Sequence, residues 1–238
     1  MARPGVAISV IIAALNEEKY IRSVVDGLKS QTFKDFEVIV VDGGSHDRTK
    51  QIAREIGTVI IERRKGIALA RNRGARAAKG KILFFTNADT KPCPTLLETY
   101  HNEFNSDSGM VAATGPLKPL EKSDTIMHMG YKFVSVFLAK FAMAVGQPSI
   151  SGSNFAVRSA AFRKLHGFNE RYETYEDLDL SIRLKKLGEV RYINEAMVKT
   201  STRRIEAWGI PKYVAFNFRN IVKYNLSKSP ARNYEPIR

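Results

Sequence analysis

The sequence predicts an α/β fold, a mostly parallel sheet with helices on both faces. Through about residue 90, apolar runs of strand length alternate with amphipathic helical segments, joined by short links. Carboxylates stand where such a sheet binds ligands: Asp42 ends one apolar run, and Asp89 lies just beyond another.

Val6 to Ala14, with Ile8, Val10, Ile11 and Ile12, reads as a strand buried on both faces. Asn16 opens a helix whose Ile21, Val24, Val25 and Leu28 keep helical spacing to Lys29. Phe36 to Val41 is a second buried strand, and Gly43-Gly44 turns the chain after Asp42. Asp47 caps the next helix, with Ile52, Ala53 and Ile56 on one face and Gly57 as its stop. Thr58 to Glu62 gives a third strand, Ala68 to Lys79 an Ala-rich helix closed by Gly80, and Ile82 to Phe85 a fourth strand.

Beyond Asp89 the rhythm changes. A helix is expected over Thr95 to Phe104, a strand over Met110 to Thr114, and a long apolar-rich segment over Asp124 to Val145, interrupted by Lys132 and Lys140. Its charged interruptions argue against its spanning a bilayer. It suits a core helix or an amphipathic helix that receives a lipid-like acceptor. Gln147 to Val157 reads as loop then strand, Ser159 to Leu165 as a short helix, and Glu176 to Leu187 as an amphipathic helix stopped by Gly188. Val190 to Ile193 is a strand and Pro211 to Leu226 a terminal helix.

At 238 residues and 44% hydrophobic content the chain can bury a sizeable core. Its single cysteine, Cys93, rules out an internal disulfide framework and suits a reducing compartment. The first strand is followed directly by polar residues rather than a leader's cleavage site, so a cytoplasmic protein is expected, peripheral at the membrane face. The net charge of +14 is concentrated: Arg48 to Lys81 holds eleven basic residues against Glu55 and Glu62, and Lys199 to Arg238 holds nine against Glu206 and Glu235. Nucleic acid would explain that charge, but a carboxylate-rich cleft repels phosphate unless a metal intervenes, and no nucleic-acid partner is expected. A sugar-nucleotide pyrophosphorylase would want a Gly-rich, Lys-containing loop after the first strand, and Leu15-Asn16-Glu17 is not one.

Seven motifs stand in a telling order. They are Ile11 to Glu18, Val41 to Thr49, Ala70 to Gly74, Asn87-Ala88-Asp89, Gly152-Ser153-Asn154, Gly167 to Glu170, and Glu176 to Leu180. In this order and spacing the chain resembles the family 2 glycosyltransferases, of the non-processive archaeal or bacterial kind, over about residues 6 to 205. The resemblance implies a GT-A, Rossmann-like fold with a nucleotide-sugar-binding half (1–90), an acceptor-binding and catalytic half (91–205), and a C-terminal helix and tail (206–238). The Gln-rich, Arg-Trp signature of processive members is absent.

The resemblance also implies roles. Ala14, Asn16 and Glu17 meet the nucleotide, though Asn16 also suits a helix cap. Asp42 reads the nucleobase or shapes the turn at Gly43. Lys65, Gly66, Arg71 and Asn72 hold nucleobase and diphosphate, with Arg71 foremost. Asn87 contacts ribose where the family usually has Asp, Ala88 lies between, and Asp89 binds Mg²⁺ or Mn²⁺. Gly152, Ser153 and Asn154 lie beside the donor sugar, Arg203 and Arg204 close over the diphosphate, and Glu176-Asp177 forms the acidic pair in which Asp177 is the base. The implied donor is a UDP-sugar or GDP-sugar. The implied acceptor is a hydroxyl or a lipid phosphate such as a polyprenyl or dolichyl phosphate, with a soluble saccharide or protein as the alternative.

Overall fold

The structure, a computed structural model, describes residues 5–121, 150–216 and 219. The strands are β1 (Ile8–Ala14), β2 (Phe36–Asp42), β3 (Thr58–Ile61), β4 (Ile82–Asn87), β5 (Thr90–Pro92), β6 (Met110–Thr114), β7 (Leu117–Pro119), β8 (Phe155–Arg158), β9 (Glu189–Tyr192) and β10 (Val198–Thr200). The helices are α1 (Ile21–Lys29), α2 (Thr49–Ala53), α3 (Ile67–Ala77), α4 (Leu96–Ser106), α5 (Ser159–Lys164), α6 (Glu176–Lys185) and α7 (Arg203–Trp208).

Seven strands form the main sheet in the order β3-β2-β1-β4-β8-β6-β9. The first four are parallel, and only β8 runs antiparallel to its neighbours, so the α/β expectation holds. Period-two alternation divides the apolar side chains between two cores. Ile8, Val10, Ile12, Val40 and Phe84 pack beneath α1 and α4, while Ile11, Val41, Leu83 and Phe85 pack beneath α3, α5 and α6. Phe85 gathers Phe155, Phe162 and Phe168 within 5.1–5.6 Å between ring centroids. Burying each phenyl contributes about 1.5–3 kcal/mol. Helix α3 sits close on the sheet because Gly74 has no side chain; a Cβ there would stand 2.5 Å from Ile11 Cγ2.

A second, three-stranded sheet has the order β5-β10-β7, with β10 antiparallel to β5 and parallel to β7. The sequence reading missed it. It assigned no element to α7 either. The first helix starts at Ile21 rather than Asn16, whose backbone is left-handed at φ 54°. Helix α2 ends at Ala53, ahead of Gly57. The expected segment 124–145 lies outside the described residues. So does most of the expected terminal helix, of which 211–216 is helical. No helix among the described residues is long and apolar enough to cross a membrane.

Candidate active site

The carboxyl ends of β1, β2 and β4 open on one edge of the sheet, where the loops after β1 and β2 are sewn together. The Asn16 N–H donates to Ser45 Oγ at 2.9 Å, and the Glu17 N–H to Thr49 Oγ1 at 2.8 Å. The Glu18 N–H donates to Asp47 Oδ2 at 3.1 Å; in return the His46 N–H donates to Asn16 Oδ1 at 2.9 Å and the Arg48 N–H to Glu18 Oε2 at 2.9 Å. Ser45, Asp47 and Thr49 thus have a structural task that sequence reasoning did not assign. Their only prior signal is the alternate spacing of short polar residues. A shallow cavity of about 280 Å³ lies here, lined by Asn16, Glu18, Lys19, Tyr20 and Asp47. Ala14, at the end of β1, is buried.

Asp42 is fully buried. Its Oδ1 accepts the Gly44 and Ser45 N–H groups at 2.9 and 2.8 Å, and its Oδ2 accepts Ser45 Oγ at 2.5 Å. Of the two roles the sequence left open, the geometry carries the turn-shaping one.

Asp89 and Glu17 meet across one cation. Arg203, at the start of α7, donates to both Glu17 oxygens at 2.8 Å and lies 3.1 Å from Asp89 Oδ2. Its guanidinium rests over the Tyr20 ring, 4.5 Å from the centroid. Burial works against the Arg203 charge, but Glu17 and Asp89 more than offset it and hold the group above its ordinary pKa. Burial pushes the Asp89 carboxyl up, and Glu17 adds to the shift while Arg203 opposes it. The second Asp89 oxygen, Oδ1, is buried without a hydrogen-bond partner.

Deeper in, Arg71, expected as a diphosphate ligand, turns its guanidinium inward. Its side chain is 2% exposed. It donates through Nη1 to Glu176 Oε1 at 2.5 Å, and through Nη2 to Asn87 Oδ1 at 3.1 Å and the Gly152 carbonyl at 3.0 Å. The aromatic cluster walls it in, with Phe168 5.5 Å away. It is an internal strut because every group it reaches lies inside the domain. A Cβ on Gly152 would stand 2.3 Å from Nη2, so only glycine admits the guanidinium. Burial and the neighbouring Asp177 charge push Glu176 up to about 7, against the pull of Arg71.

Asp177 stays half-buried on the first turn of α6. It accepts the Gly152 N–H on Oδ2 at 2.9 Å and the Leu178 N–H on Oδ1 at 2.8 Å, which fixes the carboxylate's orientation. Asn87 Nδ2 donates to Ser153 Oγ at 2.8 Å, so Asn87, Gly152, Ser153, Glu176 and Asp177 are gathered around one guanidinium. Two expected ligands are not in the cleft. Asn72 clamps the Phe168 backbone and Glu170. Asn154 is fully buried, bonded to Tyr100 Oη and the Ala196 carbonyl. Each satisfies inward backbone groups, as buried polar groups must. Lys65 and Gly66 are exposed, Ala88 is buried, and Arg204 packs against Trp208 with its guanidinium 5.8 Å from the ring.

A divalent ion fits at Asp89 as a single-carboxylate site: Oδ1 lacks a partner, and hard cations favour anionic oxygen. No group of three or more His, Cys, Asp or Glu side chains among the described residues could hold an ion unaided.

The family model described as Glycosyl transferase family 2 matches residues 9–166. An uncharacterised glycosyltransferase of Rickettsia typhi is 25% identical over 213 residues, covering 81% of this chain and 63% of that protein. The chain thus spans less than two thirds of that relative. Chondroitin synthase of Escherichia coli is 26% identical over 194 residues, covering 79% of this chain and 28% of its own. Among solved structures, S. aureus TarS in complex with UDP superposes with a TM-score of 0.68 at 16% identity, covering 93% of this chain and 73% of that one. A Pyrobaculum calidifontis mannosyltransferase in complex with GDP-Man and Mn2+ gives 0.65 at 20% identity, covering 92% and 65%. These two likenesses carry the fold.

Proposed function

The chain belongs to glycosyl transferase family 2, and from that premise we propose that it moves a sugar from a UDP- or GDP-linked donor to an acceptor, with inversion at the anomeric carbon. One observation carries this reading: a buried, unpartnered Asp89 oxygen beside Glu17 and Arg203, at the carboxyl edge of a parallel sheet. Structures of the same fold hold UDP or GDP-Man with Mn2+, which supports the donor class. Asp89 would hold the divalent ion together with donor phosphate oxygens, and that ion supplies charge stabilisation for the departing diphosphate. Arg203 stands ready to contribute positive charge beside it. Asp177, oriented by Gly152 and Leu178, takes the proton of an acceptor hydroxyl. The acceptor oxygen bonds to the anomeric carbon as the bond from that carbon to the diphosphate oxygen breaks, and the electron pair leaves with the nucleoside diphosphate.

We rank lipid phosphate first among acceptors and place the protein at the cytoplasmic membrane face, on its concentrated basic charge and apolar sequence. An anionic phosphate oxygen has no proton to surrender, whereas a hydroxyl has. Asp177→Asn should therefore keep donor binding and lower transfer to a hydroxyl acceptor by about a hundred- to ten-thousand-fold, with a smaller effect on a lipid phosphate. Asp89→Asn should lose the metal-dependent part of donor binding. Calorimetry with UDP- and GDP-sugars, with and without Mn²⁺, and single-turnover transfer read these outcomes. Undiminished transfer to a hydroxyl in Asp177→Asn would sink the assignment of the base.

A further inference from the structure

Three lysines stand side by side across the small sheet. Lys199, in central β10, is the register partner of Lys91 in β5 and of Lys118 in β7. Register partners share a face, so the three side chains form one row. Lys91 and Lys199 are exposed and Lys118 half-buried, while Thr90, Pro92, Val198 and Thr200 turn inward. The thiol of Cys93, two residues on from Lys91, feels the charges of both Lys199 and Lys118. Among the described residues, none of the three lysines is ion-paired with a carboxylate. Like charges directly opposite one another destabilise a sheet, and nothing in the sugar-transfer site uses these. Such a row becomes favourable against a surface that presents several anions at once.

We propose that the outer face of the β5-β10-β7 sheet docks on the acidic headgroups of a bilayer. The row crosses strands on a sheet face, which suits an extended planar anion better than a single threaded chain. Its position adds a reason. β5 begins immediately after Asp89, and the Ser201 N–H, just past β10, donates to the Asp89 carbonyl at 3.0 Å. A bilayer against this face abuts the lip of the cleft, where a lipid acceptor would arrive. The proposal deepens the lipid-acceptor reading and rests on it only for that placement. Near an anionic leaflet each lysine contributes roughly fivefold in partitioning, so three contribute about a hundredfold.

The test is sedimentation of the full chain with phosphatidylcholine vesicles, with and without phosphatidylglycerol, at low and high salt. The protein should sediment with the anionic vesicles at low salt. The triple variant Lys91→Gln, Lys118→Gln, Lys199→Gln should lose about a hundredfold. A control removing equal charge from exposed positions elsewhere, Lys34→Gln, Lys79→Gln, Lys81→Gln, should lose far less. Equal losses in the two triples, equal binding to neutral vesicles, or binding to soluble polyphosphate without vesicle binding would overturn the proposal. Melting temperature verifies that the triple is folded; should it fail to fold, Lys199→Gln alone decides, with about a fivefold loss expected. Donor binding measured alongside separates the two ideas, because its absence with vesicle binding intact counts against sugar transfer and leaves the docking face standing.

Discussion

Arg71 and Arg203 each pair with a glutamate, one in the core and one at the lip of the cleft. Arg71 is 2% exposed and meets Glu176, Asn87 and the Gly152 carbonyl, all fixed parts of the domain. Arg203 is 18% exposed and holds Glu17 and Asp89, whose other oxygen still lacks a partner. Arg71 Nε is likewise buried without a partner, so the two pairs differ in what they leave open: a hydrogen-bond donor in the core and an anionic oxygen at the lip. We propose cation binding at the lip pair, because the atom left open there is an anionic oxygen and a cation can be accommodated without dismantling the core.

The widest gap between the pairs should appear in stability. Arg71→Met leaves the buried Glu176, Asn87 and Gly152 oxygens without their donor and should cost about 3–5 kcal/mol in urea unfolding, a loss that Mn²⁺ does not restore. Arg203→Met should cost about 1.5–3 kcal/mol, reduced when Mn²⁺ compensates Glu17 and Asp89. Similar losses, or a metal rescue of both, would erase the distinction. Asn72→Ala removes the clamp on Phe168 without touching either cation and should cost about 1–3 kcal/mol, with donor affinity unchanged by calorimetry. Lost donor affinity in a folded Asn72→Ala protein would move that residue back to the ligand.

The core pair also predicts a pH slope. Glu176 is pushed up to about 7 by burial and Asp177, above the roughly 4.3 expected when unfolded. Between those values the folded state keeps a proton that the unfolded state releases. Its contribution is therefore complete below about 4.3 and is lost as pH rises through about 7. Unfolding free energies measured at pH 5 and pH 8 should fall less steeply in Glu176→Gln than in the parent. Equal slopes would show that Glu176 does not titrate in this window.

The large sheet and its helices were legible because seven-residue strands and nine-residue helices hold enough apolar positions to reveal their period. The small sheet was not. Thr90-Lys91-Pro92, Leu117-Lys118-Pro119 and Val198-Lys199-Thr200 are too short to show alternation, and proline argues against a strand unless it sits on an edge, as β5 and β7 do. Asn16 has the chemistry of a helix cap, yet its side chain serves the neighbouring loop, a choice made by tertiary contact. Among the site motifs, sequence order brought Asp89, Glu17, Arg203, Asp177 and Gly152 toward one edge. It could not say that Arg71, Asn72 and Asn154 point inward, because side-chain direction depends on partners about 40 to 105 residues away.

The stitched loops after β1 and β2 have a consequence for how this protein can vary. Asn16, Glu18, Ser45, Asp47 and Thr49 exchange backbone and side-chain bonds in both directions, so each is a partner's requirement as well as its own. Substitutions there are felt across the seam: replacing Ser45 strands the Asn16 amide, and replacing Asn16 strands the His46 amide. The two loops form one heritable unit, and a chimera that exchanges one should fail where a chimera that exchanges both succeeds.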